Sequence, residues 1–437
     1  MNAPACAGAA VRTPVRRAAP KLLMFAWAFP PHNASGSKRP FRLAKYLPEY
    51  GVEVEVVTAS GNLPGWDHVH SAPRDFEKQR VHLASRFLEF TQRWCLPYTD
   101  VIPWIPYALA ATEEVLLHSR VAAVISTSPP IGSHFAALEA KRRHGFKWIA
   151  DFRDPLLGNP FRNRKGAWIY DATVERLIFR FADAVVANTD VMAECWRKRY
   201  PQWAHKIHLI WNGYDPEERI EPAPIAPRPF KVLAHVGAIY GGRVPIPLLR
   251  AIDRLIRSGR LLPCDLQIQL VGKLDPPDLL QFEPAFASVV AKINTQCTGE
   301  LIPEAEAREV MAKADYLCLL DNNDRNAGLQ VPAKLFDYIR IGRPILAVTS
   351  RNSPAHRVLA RSGVPHICIF PDNSEAEIDD ALASFLQMPN TPMQADAWFW
   401  STFDGRNQAR HLVSILDRLL TDEKSSTVTI TTITNTP

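Results

Sequence analysis

The chain alternates short apolar runs with amphipathic helical patterns, in two halves that a proline-rich stretch separates. Apolar runs that end in loops are typical of buried parallel strands, because such strands are covered on both faces. Residues 221–229 contain four prolines, which predicts a semi-rigid linker. With 437 residues, the chain is too long for one ordinary core. We therefore predict an α/β fold of two Rossmann-like, doubly wound domains that face each other across a cleft.

The same patterns predict where each part begins and ends. The predicted strands are 21–29, 52–58, 121–127, 148–150, 184–187, 207–210, 231–236, 266–271, 316–320 and 344–348, and the predicted helices include 135–144, 173–182, 248–256, 304–313 and 406–420. The predicted parts are a disordered tail (1–20), a first domain (21–220), the linker (221–230), a second domain (231–396), a C-terminal helix (397–420) and a disordered tail (421–437).

The charge of the chain is uneven. The first 220 residues hold 29 Lys and Arg against 21 Asp and Glu, whereas the rest holds 22 against 24. The basic excess predicts that the first half meets something anionic, such as a lipid headgroup or a phosphate-bearing acceptor, although a solvated basic surface gives the same composition. Within it, four cations lie on or beside the first predicted helix: Lys38, Arg39, Arg42 and Lys45. We expect them to help dock the protein on an anionic membrane.

Several classes of protein are disfavoured. The seven cysteines form no C-x-x-C pair, and their odd number speaks against a disulfide framework or a zinc site. No run of about 18 apolar residues predicts a membrane-spanning helix. The absence of G-x-G-x-x-G, P-loop, H-E-x-x-H and G-x-S-x-G motifs argues against a Rossmann dehydrogenase, a P-loop NTPase, a zincin and an α/β-hydrolase.

The segment 331–345 is the strongest candidate for a ligand site. It reads as a loop, a short helix that begins near Lys334, and a buried strand. Lys334 and Asp337 are three residues apart, so both project from the same side of the helix start. A cation there suits phosphate oxygens, and a carboxylate suits a ribose diol. A weak surface ion pair between the two residues is the alternative interpretation.

Two loops that follow the first strand of each domain are further candidates. Gly36 and Ser37 lie among small residues whose backbone can approach an anion, although an ordinary connecting loop has the same composition. Gly237 opens the second loop, and Arg243 falls near the next helix start, where it can grip a phosphate. Arg243 and Lys334 together can stabilise a departing diphosphate. We therefore expect neither a divalent metal nor a cofactor.

A cluster of charges follows the strand at 148–150. Asp151, Arg153 and Asp154 must be either paired or functional, because burying charges without partners is costly. An internal bridge between Arg153 and a carboxylate is one outcome, and a catalytic carboxylate at Asp154 is the other. His134, upstream of this cluster, either faces the cleft or has a structural role.

An ordered set of motifs covers residues 21–420. They are F-P-P, Y-L-P-E-Y-G-V-E-V-E-V-V-T, S-T-S-P-P, W-I-A-D-F-R-D-P, N-G-Y-D, H-V-G, L-V-G-K and P-A-K-L-F-D-Y. This set resembles bacterial family 4 glycosyltransferases of the GT-B fold. The resemblance implies a hexosyltransferase-type enzyme that moves a sugar from a nucleotide-sugar with retention, in cell-surface or exported polysaccharide assembly. It also implies an acceptor-binding first domain, a donor-binding second domain and a C-terminal helix that crosses back to the first.

The resemblance also implies roles for individual residues. Arg243 and Lys334 would stabilise the leaving diphosphate, Asp337 would bind the ribose, and His134 and Asp154 are further catalytic candidates. The implied donor-binding residues are Gly36, Ser37, Gly237, Arg243, Lys334, Leu335 and Asp337. The implied partners are a nucleotide-sugar, a glycan or lipid-linked acceptor and an anionic membrane surface, with no nucleic acid. The implied location is the cytoplasm, with peripheral attachment to the inner face of the plasma membrane.

Three positions depart from the family pattern. Leu329 stands where the family often has a glutamate that contacts the donor sugar, Ala238 replaces an arginine, and Asp337 replaces a longer glutamate. Because of these changes, the resemblance does not identify the donor nucleotide or sugar. The same changes also leave two alternatives to a transferase: a GT-B-fold nucleotide-sugar epimerase, or a degenerate scaffold that binds a sugar nucleotide without turning it over.

Overall fold

A computed structural model describes residues 19–32, 35–72, 101–159, 162, 167–300, 302–321 and 328–430. Most of the predicted N-terminal tail therefore lies outside the described residues. None of the helices in these ranges is long and apolar enough to cross a membrane.

The first half of the chain forms a parallel sheet. Its strands are β1 (Lys21–Phe25), β2 (Glu53–Thr58), β3 (Val69–Ser71), β4 (Val121–Ser128), β5 (Lys147–Phe152), β6 (Ala184–Ala187) and β7 (Ile207–Leu209). They lie in the order β3-β2-β1-β4-β5-β6-β7. Leu22 of β1 pairs with Val54 on one side and with Ala123 on the other, which sets the register at the centre. All three side chains are buried, as expected for a strand covered on both faces.

Helices cover both faces of this sheet. They are α1 (Lys38–Tyr46), α2 (Ile105–His118), α3 (Gly132–His144), α4 (Ala167–Phe181) and α5 (Asp190–Arg199). Residues from α2 to α5 share one hydrophobic cluster with the sheet, and α1 packs in a second cluster on the opposite face.

The second half repeats the plan. Its strands are β8 (Lys231–Val236), β9 (Ile239–Tyr240), β10 (Leu266–Asp275), β11 (Thr295–Gly299), β12 (Tyr316–Leu320), β13 (Ile345–Val348) and β14 (His366–Ile369). The order is β11-β10-β8-β12-β13-β14, with β9 beside β10. The helices are α6 (Ile246–Arg257), α7 (Pro284–Lys292), α8 (Glu304–Lys313), α9 (Lys334–Ile341), α10 (Pro354–Ser362) and α11 (Glu375–Leu386).

The chain then returns to the first half through α12 (Ala397–Phe403) and α13 (Gly405–Ile430). Phe399 and Phe403 lie in the hydrophobic core of the second half. Leu412 and Leu416 of α13 lie in the core of the first half, in the cluster that contains α1. Gly213 makes the crossing possible, because a Cβ there would overlap the backbone carbonyl of Phe403. The two halves are thereby fastened by a helix as well as by the linker.

The last helix corrects one prediction. Residues from 421 onward were predicted to be disordered, but α13 continues to Ile430. Serine and threonine have modest helix propensity, which led to that prediction. Once a helix has begun, each added residue gains a hydrogen bond, and no Gly or Pro interrupts the chain before Pro437. Residues 431–437 lie outside the described residues.

The predicted fold class is confirmed: two α/β units, each with a parallel sheet. In each sheet the strand order reverses beside its first strand, between β1 and β4 and between β8 and β12. Loops leaving adjacent strands at such a point run in opposite directions and open a crevice, where ligands of open α/β sheets bind.

Candidate functional site

Lys334 lies in the crevice of the second sheet. The hydroxyl of Tyr338 accepts a hydrogen bond from Val236 N at 2.9 Å, which fixes α9 against the end of β8. One turn earlier, the Lys334 amine occupies the space above Gly237, where a Cβ would overlap its Nζ. Gly237 has φ +135°, so both its backbone conformation and this contact require glycine.

In the described part of the chain, the Lys334 amine has no counter-charge. Among the described residues, no carboxylate or other acceptor lies within bonding distance of its Nζ. Burial, and to a smaller extent the positive charge of Arg243, lower its pKa to about 7. His235 lies nearby and adds no positive charge, because burial holds its pKa well below the usual value. The site therefore favours an anion that would restore the charged amine.

Arg243 is oriented by its own turn. Its backbone N donates to Tyr240 O at 2.9 Å, and its Nη1 donates to Tyr240 Oη at 2.8 Å. The guanidinium also lies over the Tyr240 ring, 5.2 Å from its centre. Arg243 and Lys334, far apart in sequence, thus lie close enough for the charge of one to lower the pKa of the other, and their binding of a diphosphate stays a prediction.

Asp337 does not pair with Lys334. The predicted alternative of an ion pair between them is wrong: the nearest cation to Asp337 is Arg340, with Nη1 3.9 Å from Oδ1. Burial raises the Asp337 pKa to about 6, although the charges of Lys38 and Arg340 oppose this. Among the described residues, no hydrogen-bond donor satisfies this carboxylate. It can therefore accept bonds from a ligand diol.

Gly36 and Ser37 meet the charged cluster of the first half. A Cβ on Gly36 would be 2.7 Å from Nη1 of Arg153, so glycine lets the guanidinium lie across the loop. The other guanidinium nitrogen of Arg153 donates to the Pro129 carbonyl. Ser37, the next residue, is buried, with 4% of its surface exposed. The predicted approach of the Gly36 loop backbone to an anion stays a prediction.

Asp151, Arg153 and Asp154 each bond to a different partner. The predicted bridge between Arg153 and a carboxylate is wrong for the described residues, because Asp151 binds Arg39 at 2.7 Å instead. Asp154 accepts a hydrogen bond from Gln330 Nε2 at 2.8 Å, across the interface between the halves. Burial raises the Asp154 pKa, and Arg153 and Arg243 partly offset the shift. Asp154 thus lies near the cations of the candidate site.

His134 is in the core. Its side chain is fully buried, its Nδ1 lies 2.7 Å from Ser126 Oγ, and its ring packs 4.4 Å from the Phe152 ring. Ser126 Oγ also accepts a bond from Trp148 Nε1 at 2.8 Å, so its own hydrogen is directed at His134. Burial lowers the His134 pKa to about 3. The ring is neutral and enclosed, which does not suit the predicted catalytic role.

Two further predictions need correction. Leu335 is fully buried in the second core and does not face the site, because it follows the apolar side of α9. The four cations around α1 are not an available membrane patch, because each bonds within the protein. The pairs are Lys38 with Glu304 at 2.6 Å, Arg39 with Asp151 at 2.7 Å, Arg42 with Asn212 at 2.7 Å, and Lys45 with Asp215 at 2.9 Å.

Leu329 shows why its position departs from the family pattern. Its side chain packs against the hydrophobic core of the first half, and Thr189 Oγ1 donates to its carbonyl at 2.7 Å. Gln330 and Thr189 were not identified from the sequence. The only signal was a polar residue, Gln330, inside an otherwise apolar loop. The segment holds the two halves together where the family resemblance places a sugar contact.

Comparison with known proteins agrees with this architecture. Residues 35–213 match the family described as a glycosyl transferase 4-like domain. No curated protein sequence matches the chain. Many solved structures share the fold, including sucrose-phosphate synthase from Thermosynechococcus elongatus (TM-score 0.60, 12% identity, covering 95% of this chain and 100% of that one).

Two other solved structures share the fold. Anabaena HepE in complex with UDP-glucose is similar with a TM-score of 0.56 and 12% identity, over 91% of this chain and 99% of that one. The UDP-GlcNAc 2-epimerase from Methanocaldococcus jannaschii is similar with a TM-score of 0.52 and 9% identity, over 91% and 99%. At these identities the similarity shows the fold alone.

The family match and the shared fold together confirm the predicted resemblance. The chain has the GT-B fold, and residues 35–213 within its first half match the glycosyl transferase 4-like family.

Proposed function

We propose that this protein transfers a sugar from a nucleoside-diphosphate donor to a glycan or lipid-linked acceptor, with retention of configuration. The observation that carries the proposal is the uncompensated Lys334 amine over Gly237, beside Arg243, at the crevice of the second sheet. HepE, which has the same fold, is described in complex with UDP-glucose, and this supports a nucleotide-sugar as the donor.

Sugar transfer needs positive charge beside the departing diphosphate. The bond between the sugar C1 and the diphosphate oxygen breaks, and the electron pair leaves on the diphosphate. Lys334 and Arg243 stabilise this developing charge, so no metal is required. The acceptor hydroxyl forms the new bond to C1 on the same face, and its proton passes to the departing diphosphate. Asp337 holds the ribose diol, which positions the donor.

The donor sugar would lie beside the contact between the halves. Leu329 supplies no carboxylate there, but Asp154 does, held by Gln330. We expect Asp154 to accept a bond from a sugar hydroxyl, a role that the family resemblance gives to a glutamate at position 329. Closure of the two halves would then be part of donor recognition.

The first test is nucleotide binding. Titrations with UDP, GDP and their sugars should identify a ligand whose affinity falls roughly 10- to 150-fold in Lys334→Ala and in Arg243→Ala. A charge-assisted bond to phosphate contributes about 1.5–3 kcal/mol, which corresponds to that range. Lys273→Ala, which removes an exposed lysine of the same half, is the matched control. Unchanged affinity in both site variants would contradict the assignment of the diphosphate site.

Turnover of an isotope-labelled donor separates the alternatives. Transfer of label to an acceptor supports the transferase, formation of an epimer supports the epimerase, and binding without either supports the scaffold. Leu329 and Ala238, which depart from the family pattern, are the reason to test for the epimerase and the scaffold. The same assay with a chelator tests the metal-free mechanism, which loss of activity and its recovery with magnesium or manganese would contradict.

The acceptor is the least constrained part of the proposal. A role in cell-surface or exported polysaccharide assembly, with attachment to the inner face of the plasma membrane, remains a prediction from the resemblance. The cations first expected to mediate attachment are engaged elsewhere, so a membrane contact requires a different surface.

A further inference from the structure

We propose that the outer face of α4 docks the protein on an anionic phospholipid bilayer. Two large apolar side chains are exposed at the start of this helix, with Trp168 at 65% and Ile169 at 56% of their maximal exposure. Arg176 and Arg180 are exposed further along the same helix. At 100° per residue, Ile169, Arg176 and Arg180 fall on one stripe, with Trp168 at its margin.

The charges of α4 are sorted between its two sides. Its acidic residues, Asp171 and Glu175, are buried and paired, with Arg162 at 2.6 Å and with Arg199 at 2.8 Å. Arg176 and Arg180 have no carboxylate partner within the described residues. The outward charge of the helix is therefore entirely positive, in contrast to the paired cations around α1.

Apolar and cationic groups on one face match a specific surface. Tryptophan prefers the boundary between headgroups and acyl chains, and nearby arginines attract anionic headgroups. At the end of the helix, Phe181 is 42% exposed and the Arg180 guanidinium lies 5.3 Å from the centre of its ring. Phe181 falls about 120° around the helix from Ile169, on the margin of the stripe opposite Trp168, so exposed aromatic side chains flank the cationic stripe on both sides.

A second copy of the chain fits this face poorly. A two-fold contact centred on Arg176 would set the arginines of one copy against those of the other, and like charges repel. A bilayer has no such conflict. Because α4 follows β5, its first turn lies at the cleft edge of the sheet, so docking there brings the cleft towards the membrane. This inference does not depend on the transfer reaction.

Vesicle sedimentation with the full chain tests the proposal. Wild type should bind vesicles of phosphatidylcholine with phosphatidylglycerol at 0.1 M NaCl, bind weakly to phosphatidylcholine alone, and dissociate at 1 M NaCl, where the Debye length is only about 3 Å. Arg176→Gln with Arg180→Gln should weaken binding roughly 30-fold, because each arginine near an anionic surface contributes about 1 kcal/mol. Trp168→Ser with Ile169→Ser should also weaken it at least tenfold.

The matched control removes two exposed arginines from α13: Arg410→Gln with Arg418→Gln. This pair has no carboxylate partner in the described part of the chain, so the loss of net charge is the same. Equal weakening in the control would show that only net charge matters and would overturn the assignment to α4. Equal binding of wild type to neutral and anionic vesicles, or binding to neither, would overturn it as well. Unchanged thermal unfolding of each variant shows that folding is intact.

Discussion

At the scale of single residues, the site depends on groups whose charge is suppressed by burial. Lys334 has a pKa near 7 rather than 10.5, and Asp337 has a pKa near 6 rather than 3.8. An anionic diphosphate favours the charged amine, so binding raises the pKa of Lys334. Above pH 7 the free protein has a largely neutral amine, and the bound protein has a charged one.

We therefore predict proton uptake on nucleotide binding. At pH 8, calorimetry in buffers of different ionisation enthalpy should give an uptake that approaches one proton. Affinity should be highest between about pH 6 and pH 7, because Asp337 loses its charge below this range and Lys334 above it. Lys334→Arg is the matched variant, since arginine keeps its charge throughout. Binding by that variant with undiminished uptake would show that another group takes the proton.

At the scale of elements, a buried ion pair sets the position of α1. Arg39 is 2% exposed and Asp151 is 1% exposed. Arg39 also donates to the carbonyl of Ile210, at 3.0 Å, so one side chain joins α1 to the ends of β5 and β7. Removing one member of such a pair leaves a buried charge without a partner.

Arg39→Met should lower the free energy of unfolding by about 3–5 kcal/mol. Denaturant titration measures this change. Arg142→Gln is the control, because Arg142 is exposed and bonds only Glu139 of its own helix, so its loss should leave the free energy of unfolding nearly unchanged. A similarly small change in Arg39→Met would mean that the pair does not position α1.

At the scale of the whole molecule, contacts on both sides of the cleft hold the halves together. Lys38 meets Glu304 at 2.6 Å on one side. On the other side, Arg357 meets Asp190 at 2.9 Å, near the Leu329 segment. These partly exposed pairs are individually weak, so the closed arrangement is easily biased.

Arg357→Gln should favour an open arrangement. We expect a larger radius of gyration by small-angle scattering and a donor affinity weakened by up to about fivefold, because up to about 1 kcal/mol of closure energy is lost. Lys313→Gln, which breaks a pair within α8 only, should change neither. A smaller or unchanged radius in Arg357→Gln would contradict this role.

Local pattern predicted much of the fold. The strands at 184–187, 231–236 and 316–320 and the helix at 304–313 are confirmed residue for residue. Strand β1 ends at Phe25, earlier than predicted, because its pairing with β2 and β4 ends there. Helices α2, α5, α7, α10 and α11 were not predicted. The spacing of apolar residues depends on a few neighbouring positions. It predicts a helix or strand correctly where that element buries one side.

The sequence alone thus determined the fold class, the linker between the halves, and the placement of Lys334 and Asp337 on a short helix of the second half. Only the tertiary structure decided the partners of the charges. Lys38 and Glu304 are 266 positions apart, and neither residue's own neighbourhood indicates that they meet. The same holds for Leu329, which reads as a lost ligand in sequence and lies against the other half in the fold. Charge and burial depend on contacts between distant segments, which spacing along one chain does not encode.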